Sequence, residues 1–297
     1  MAVELAKLVN GEIVSADSMQ VYKYMDIGTA KPDGEEMCGI RHHLIDEVYP
    51  DEEFSVARYR ELALKYIGDI LARGKFPVVA GGTGLYINSL VYNIDFPETA
   101  RDWNRREELK REAERKGSAY LHEKLRTVDP EAAARIHAND LKRIIRALEV
   151  YECTKKPISY HMAESRKSPP KYDFKIFGLT MDREKLYDRI NRRVDHMMEK
   201  GLVEEVKRLV SLGYDRYTVA MQGLGYKEML SYLRGEIAMD EAVYIIKRDT
   251  RRYAKRQFTW FRRLQNVIWL DAGFPDGEGM SKILNSILHQ LEFSCRI

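Results

Sequence analysis

A β-rich run at residues 12–15, an amphipathic stretch at 53–73 and a second apolar run at 76–80 follow one another along the chain. Strand, helix, strand in that order implies parallel pairing, and the crossover between such strands is right-handed in nearly all proteins. The chain therefore folds as α/β, with a parallel sheet flanked by helices. Local punctuation agrees, with Asn10-Gly11 a turn before the first run and Gly74 ending the helical stretch. Asp17 and Ser18 then fall just past the C-terminal end of the first strand. Gly81-Gly82-Thr83-Gly84 falls just past the second. In open α/β sheets ligands collect outside those ends, so these two loops are the first place to look for chemistry.

The apolar spacing of residues 1–8 suits a helix buried against the sheet. Between residues 97 and 171 the strand signals vanish and charge density rises. Helices are expected at 103–116, 118–127, 131–137 and 140–152, forming a helical insertion whose Ser-, Pro- and Lys-rich stretch at 165–171 leads back. A β run at 175–179 resumes the sheet, helices follow at 183–200, 203–212 and 240–263, and 267–270 is a last strand. The core is thus expected in two pieces, 1–96 and 172–297, around the insertion 97–171. No internal repeat or low-complexity segment is visible.

Composition narrows the function. Forty-nine Lys and Arg against 46 Asp and Glu leave +3, so any nucleic-acid surface must come from local clustering. No run approaches the roughly 18–20 apolar residues of a membrane span, and residues 1–10 lack the signature of a signal peptide. Cys38, Cys153 and Cys295 are too few and scattered for a disulfide framework, which points to a reducing cytoplasm. His42-His43 reads as one core-facing and one solvent-facing residue at the start of a strand.

Several constellations carry chemistry. Asp17 is either a cap for the following turn or a carboxylate aimed into the crevice. Gly81 and Gly82 let backbone N–H groups approach an anion, and Thr83 adds a hydroxyl donor, although most such loops are only tight turns. Arg189 and Arg193 are four apart and share a helix face. Their bland reading is a solvated stripe paired with Asp188, Asp195 and Glu199. Arg143 and Arg146 share another face, with Ile144, Ile145 and Leu148 packing behind them. Gln222-Gly223-Leu224-Gly225-Tyr226-Lys227 reads as a Gly-rich connection whose Tyr226 is either half-buried or free to stack on a base. The run 248–263 interleaves Arg and Lys with Tyr253, Phe258, Trp260 and Phe261, the footprint of an RNA-binding face, although such a run is usually a helix with a wet side and a packed side.

Five of these blocks, in order, resemble the tRNA dimethylallyltransferases (tRNA isopentenyltransferases). They are Ser15-Ala16-Asp17-Ser18-Met19-Gln20-Val21-Tyr22 with residues 26–32, Gly81-Gly82-Thr83-Gly84-Leu85-Tyr86, the segment 139–149, Arg189-Ile190-Asn191-Arg192-Arg193 with 197–201, and Gln222–Lys227 with the signature at 250–262. The resemblance runs from residue 1 to about 272. It implies a P-loop NTPase-like sheet and transfer of a dimethylallyl group from its diphosphate to N6 of the adenosine 3′ of the anticodon. Asp17, Thr83, Arg189 and Arg193 would be catalytic, and Gly81, Gly82, Thr83, Arg189 and Arg193 would hold the diphosphate with Mg²⁺. The tRNA anticodon stem-loop would be held by Asp17, Ser18, Met19, Gln20, Thr83, Arg106, Lys142, Arg143, Ile144, Ile145, Arg146, Gln222, Gly223, Leu224, Gly225, Tyr226 and Lys227. A cytoplasmic monomer is expected.

One departure stands out. The family begins with a strand and a Gly-rich phosphate loop ending in Gly-Lys-Thr or Gly-Lys-Ser, and no Gly-x-x-x-x-Gly-Lys-[ST] occurs in these 297 residues. Met1 therefore reads as an internal Met, which leaves the activity of the chain as written in question and would open the inner edges of neighbouring strands. Two alternatives stay open: an enzyme acting on free nucleotides (prenyltransferase or kinase), or a truncated, non-catalytic RNA-binding protein.

Overall fold

The computed structural model describes residues 1–94, 103–165, 167–273 and 277–292; the expected boundary at residue 97 and Cys295 lie outside them. Strand β1 (Gly11–Ala16) is buried along its whole length, because it lies in the middle of three parallel strands in the order β2-β1-β3. β2 is the short His42–His43 and β3 is Phe76–Gly81. The chain divides into two compact units, Met1–Ile87 with Phe174–Ile297, and Asn88–Asp173.

In the first unit, α1 (Ala2–Leu8) lays Ala6 against Ile13 of β1 and Val78 of β3. The short α2 (Gly34–Met37) is capped by Asp33. The crossover from β1 to β3 uses α3 (Val56–Ala72), whose N-terminus is closed by Arg58 N–H donating to Ser55 Oγ at 3.1 Å. Of the two histidines, His42 is half-buried and His43 buried, the latter bonded to Glu12. β3 leads into α4 (Gly84–Val91).

The second unit is helical: α5 (Trp103–Lys116), α6 (Ser118–Val128), α7 (Pro130–Arg135), α8 (Leu141–Thr154) and α9 (Ile158–Ser165). Leu109, Leu121, Leu125, Ile144 and Leu148 form its core. Helix α9 escaped the sequence reading because its anchor is remote. Buried Asp129, 30 residues earlier, accepts from Ser159 N–H at 3.0 Å and Ser159 Oγ–H at 2.7 Å while capping α7.

The chain then returns to the first unit as β4 (Ile176–Thr180), α10 (Arg183–Glu199), α11 (Leu202–Ser211), α12 (Tyr226–Leu233), α13 (Met239–Phe261), β5 (Val267–Asp271) and α14 (Gly277–Glu292). Helices α12 and α14 were not expected. The prediction that β4 resumes the first sheet also fails. β4 pairs in parallel with β5 alone, and among the described residues no strand lies against the second edge of β3 or of β4. Helices α10 to α13 share a second core with the segment after β1, through Val21, Tyr22, Met25, Val194, Leu202, Val206 and Met229.

Candidate active site

The register of β1 and β3 creates the site. Gly11 pairs with Phe76 and the ladder runs in step to Ala16 opposite Gly81, so both strands end level. A Cβ at Gly81 would lie 2.4 Å from the Ala16 backbone, so only glycine permits that approach. Beyond the level ends the loops knit together. Thr83 N–H donates to Ala16 O at 3.0 Å, Ser18 N–H donates to Thr83 Oγ1 at 3.0 Å, and Thr83 Oγ1–H donates to Ser18 Oγ at 3.3 Å. The expected anion nest is thus partly spent, since the Thr83 amide already has its acceptor.

Asp17 serves both of its readings with different oxygens. Oδ1 accepts from Met19 N–H at 2.8 Å and Gln20 N–H at 3.3 Å, a local Asx turn. Oδ2 has no hydrogen-bond partner among the described residues. Gln20 is fixed by donating to the carbonyls of Thr29 (3.4 Å) and Ala30 (3.2 Å).

On α10 the acids expected to neutralise the arginine stripe are engaged elsewhere. Asp188 pairs with Arg192 at 2.5 Å and Asp195 with Lys247 at 2.5 Å. Among the described residues neither Arg189 nor Arg193 has an ion-pair partner. Arg193 is exposed as a residue, yet loss of hydration around its guanidinium pulls its pKa down. Asp17 and, less strongly, Glu36 oppose that shift and Arg189 adds to it, so Asp17 and the two arginines share one neighbourhood.

Sequence reading missed the role of α13 here. Gln257 Nε2 donates to Gly82 O at 2.9 Å, and Trp260 lies where a Cβ on Gly84 would stand. The phenol of Tyr253 is pushed up chiefly by burial and then by the Asp17 charge, while hydrogen bonding to Thr83 and Gln257 acts the other way. Arg251 donates to Asn191 Oδ1 at 2.6 Å, tying α13 to α10. Phe258 stacks on Trp269 of β5. The basic–aromatic interleaving is therefore a helix whose Phe258, Trp260 and Phe261 are half-buried, while Arg252, Lys255 and Arg256 on it, and Arg262 and Arg263 just past its end, are exposed. The only signal for this in the sequence was the polar Gln257 inside the run.

Other predicted contacts are corrected. Tyr226 is fully buried and its hydroxyl donates to Glu205 at 2.6 Å, so it cannot stack on a nucleotide. Gly225 is buried too, its N–H held by Glu228. Gln222 is exposed, with its amide donating to Arg216 O; Leu224 is half-buried and Lys227 exposed beside Glu228. Gly223 approaches Met19, which brings the two predicted nucleotide-contacting loops together. In the helical unit Ile144 and Ile145 are core residues. Arg106 clasps buried Glu149 through Nε and Nη2, and Arg146 lies 3.7 Å from the same carboxylate. Lys142 and Arg143 are exposed, Arg143 resting 3.4 Å from Asp140.

Among the described residues no three His, Cys, Asp or Glu converge into a metal site. The donors near Thr83 (one carboxylate and two hydroxyls) suit a Mg²⁺ that keeps its waters and is carried largely by phosphate oxygens.

Known proteins match this chain in sequence and in fold. The IPP transferase family model matches residues 20–264. A tRNA dimethylallyltransferase of Acetivibrio thermocellus is 65% identical over 291 residues, 98% of this chain and 92% of that one. The tRNA dimethylallyltransferase of Carboxydothermus hydrogenoformans is 54% identical, covering 97% and 91%. Among solved structures, the tRNA isopentenylpyrophosphate transferase of Bacillus halodurans superposes with a TM-score of 0.73 at 45% identity, covering 99% of this chain and 93% of that one. A eukaryotic dimethylallyltransferase acting on tRNA gives 0.83 at 30% identity, covering 99% and 76%. With the matching family model extending over most of its length, the chain belongs to the IPP transferase family.

Proposed function

We propose that the protein transfers a dimethylallyl group from dimethylallyl diphosphate to N6 of the adenosine 3′ of the anticodon in tRNA. One observation carries the reading: Asp17, with one carboxylate oxygen unpartnered among the described residues, shares a neighbourhood with two arginines that lack ion-pair partners among those residues, beside the hydroxyl of Thr83. An exocyclic amine on a purine is a poor nucleophile, because its lone pair is delocalised into the ring. As N6 attacks C1 of the dimethylallyl group, Asp17 takes the N6 proton, the C1–oxygen bond breaks and diphosphate leaves with its electron pair. Arg189 and Arg193 face the growing charge with planar donors suited to phosphate oxygens, and the Thr83 hydroxyl, turning from its long 3.3 Å bond to Ser18 Oγ, donates to the leaving oxygen. A Mg²⁺ bound to the diphosphate would share that charge.

The adenine must leave its stack to reach Asp17, which costs least in a single-stranded loop. Exposed Lys142 and Arg143 and the open basic side of α13 suit the phosphates of such an RNA. The proposed setting is the cytoplasm, with the protein acting as a monomer. Among the described residues no helix is long and apolar enough to cross a membrane.

The test is direct. The protein is incubated with dimethylallyl diphosphate and an anticodon stem-loop, or with AMP, and the products are read by mass. Prenylation of the stem-loop adenosine with AMP a poor acceptor is the expected result. Equal use of AMP would transfer the reading to an enzyme of free nucleotides.

A further inference from the structure

We propose that Glu205 is a positioning residue that holds, from behind, both loops expected to receive the target base. Its carboxylate is buried on α11 and accepts four hydrogen bonds. Oε2 takes the N–H groups of Asp26 (3.0 Å) and Ile27 (2.8 Å), and Oε1 takes Gly28 N–H (3.1 Å) and the Tyr226 hydroxyl (2.6 Å). No cation pairs with it among the described residues. A buried anion compensated by hydrogen bonds alone is costly unless all its lone pairs are used in good geometry. Four converging donors need two acceptor oxygens. A carboxamide offers one, and its NH₂ would face an N–H group.

The clamp reaches the site through short links. Residues 26–28 lead into Thr29 and Ala30, whose carbonyls receive the Gln20 amide. Gln20 N–H in turn donates to Asp17 Oδ1. Lys31, its side chain buried, donates to Tyr22 O at 2.8 Å and pairs with Asp26 and Asp46 at 2.6 Å each, closing the loop's far end. On the other side, Tyr226 fills the space where a Cβ on Gly28 would lie 2.5 Å from its ring. Three residues before Tyr226, Gly223 meets Met19. Glu205 therefore joins the segment after Asp17 to the segment 222–226 without contacting the proposed reacting atoms.

This inference rests on the reading of Asp17 as the base, and the test separates the two. In the full chain, Glu205→Gln and Tyr226→Phe are compared with wild type by amide hydrogen exchange, by donor binding and by single-turnover transfer to a stem-loop. For Glu205→Gln, exchange at 26–28 and at Met19 and Gln20 should rise about tenfold while the β1 and β3 amides keep wild-type rates. Transfer should slow by about tenfold or more, because a small displacement of the base is enough, with donor affinity unchanged. Tyr226→Phe, which removes one donor and leaves the carboxylate, should raise exchange at the same segments by less; should Glu205→Gln not fold, that pattern decides. Unchanged exchange at Met19 and Gln20, or a rise spread evenly over the unit, overturns the proposal. Asp17→Asn run in parallel decides the other question: a full transfer rate there defeats Asp17 as base, while the exchange pattern still judges Glu205.

Discussion

Two carboxylates mark the two ends of β1, and they are used in opposite ways. Glu12, at the N-terminal end, is 2% exposed and fully engaged. It pairs with Arg73 through both guanidinium arms, with Lys75 at 2.9 Å and with His43 at 2.8 Å. These partners, Arg73 first, hold its pKa far below the usual carboxylate range against the effect of burial. Asp17, one residue past the C-terminal end, is half-buried and spends one oxygen on a local turn while the other has no partner among the described residues. A carboxylate whose oxygens are all engaged, chiefly by the cations Arg73 and Lys75, is held as an anion and serves the fold. One with an open oxygen beside a crevice can accept a proton from a substrate.

The sharpest way to break this contrast is Asp17→Ala. Prenyl transfer should fall by about 10²- to 10⁴-fold, the usual contribution of a general base. Loss of the turn should cost stability by only about 1 kcal/mol, and tRNA binding measured by filter retention should survive. Activity within a few-fold of wild type would reduce Asp17 to a cap.

The arginines provide the next contrast, within one helix. Arg189→Ala and Arg193→Ala should each lower kcat/KM by about 10- to 100-fold, the worth of hydrogen bonds to a charged group, with at least one raising the KM for the donor. Arg192→Ala, which removes only an exposed pair with Asp188, should stay within about twofold. Three equal effects would return the whole stripe to solvent.

At the other end of the strand, Glu12→Gln should lower unfolding stability by about 1–3 kcal/mol without changing activity per folded molecule. The pH dependence has a defined sign. Because the folded pKa of Glu12 is depressed, its contribution is present above the unfolded carboxylate pKa and is lost as pH falls through that value towards the lower folded one. Denaturation curves of wild type and Glu12→Gln should therefore differ at neutral pH and converge in acid. A gap that widens on acidification would contradict the assignment.

The smallest effects belong to the RNA surface. Lys142→Ala and Arg143→Ala should each flatten the slope of log affinity against log salt by about 0.7–0.9 for an anticodon stem-loop. Arg106→Ala should leave that slope unchanged and instead destabilise the helical unit, since it uncovers buried Glu149.

The parts legible in the sequence were those whose signals are local. The strand–helix–strand path, with Gly74 as a stop and loops at residues 17 and 81, came from neighbouring residues and reappears in β1, α3 and β3. Asp17 and Thr83 could be singled out because level strand ends place their loops side by side. Partnerships across long separations were not legible. Glu205 binds amides 177 to 179 residues away, and Gln257 holds a carbonyl 175 residues away. Tyr226 stayed open because a tyrosine in a Gly-rich run is as consistent with a stacking platform as with a buried strut. Only the Glu205 carboxylate distinguishes the two. Arg106 failed for the same reason, as its partner Glu149 lies on another helix, 43 residues away.

The contrast between the two ends of β1 is tested most directly by single-turnover transfer with both substrates prebound, comparing Asp17→Asn with Glu12→Gln at equal concentrations of folded protein. The expected result is a loss of about 10²- to 10⁴-fold for Asp17→Asn and a rate within about twofold of wild type for Glu12→Gln. Equal losses in the two variants, or a full rate in Asp17→Asn, would contradict the account.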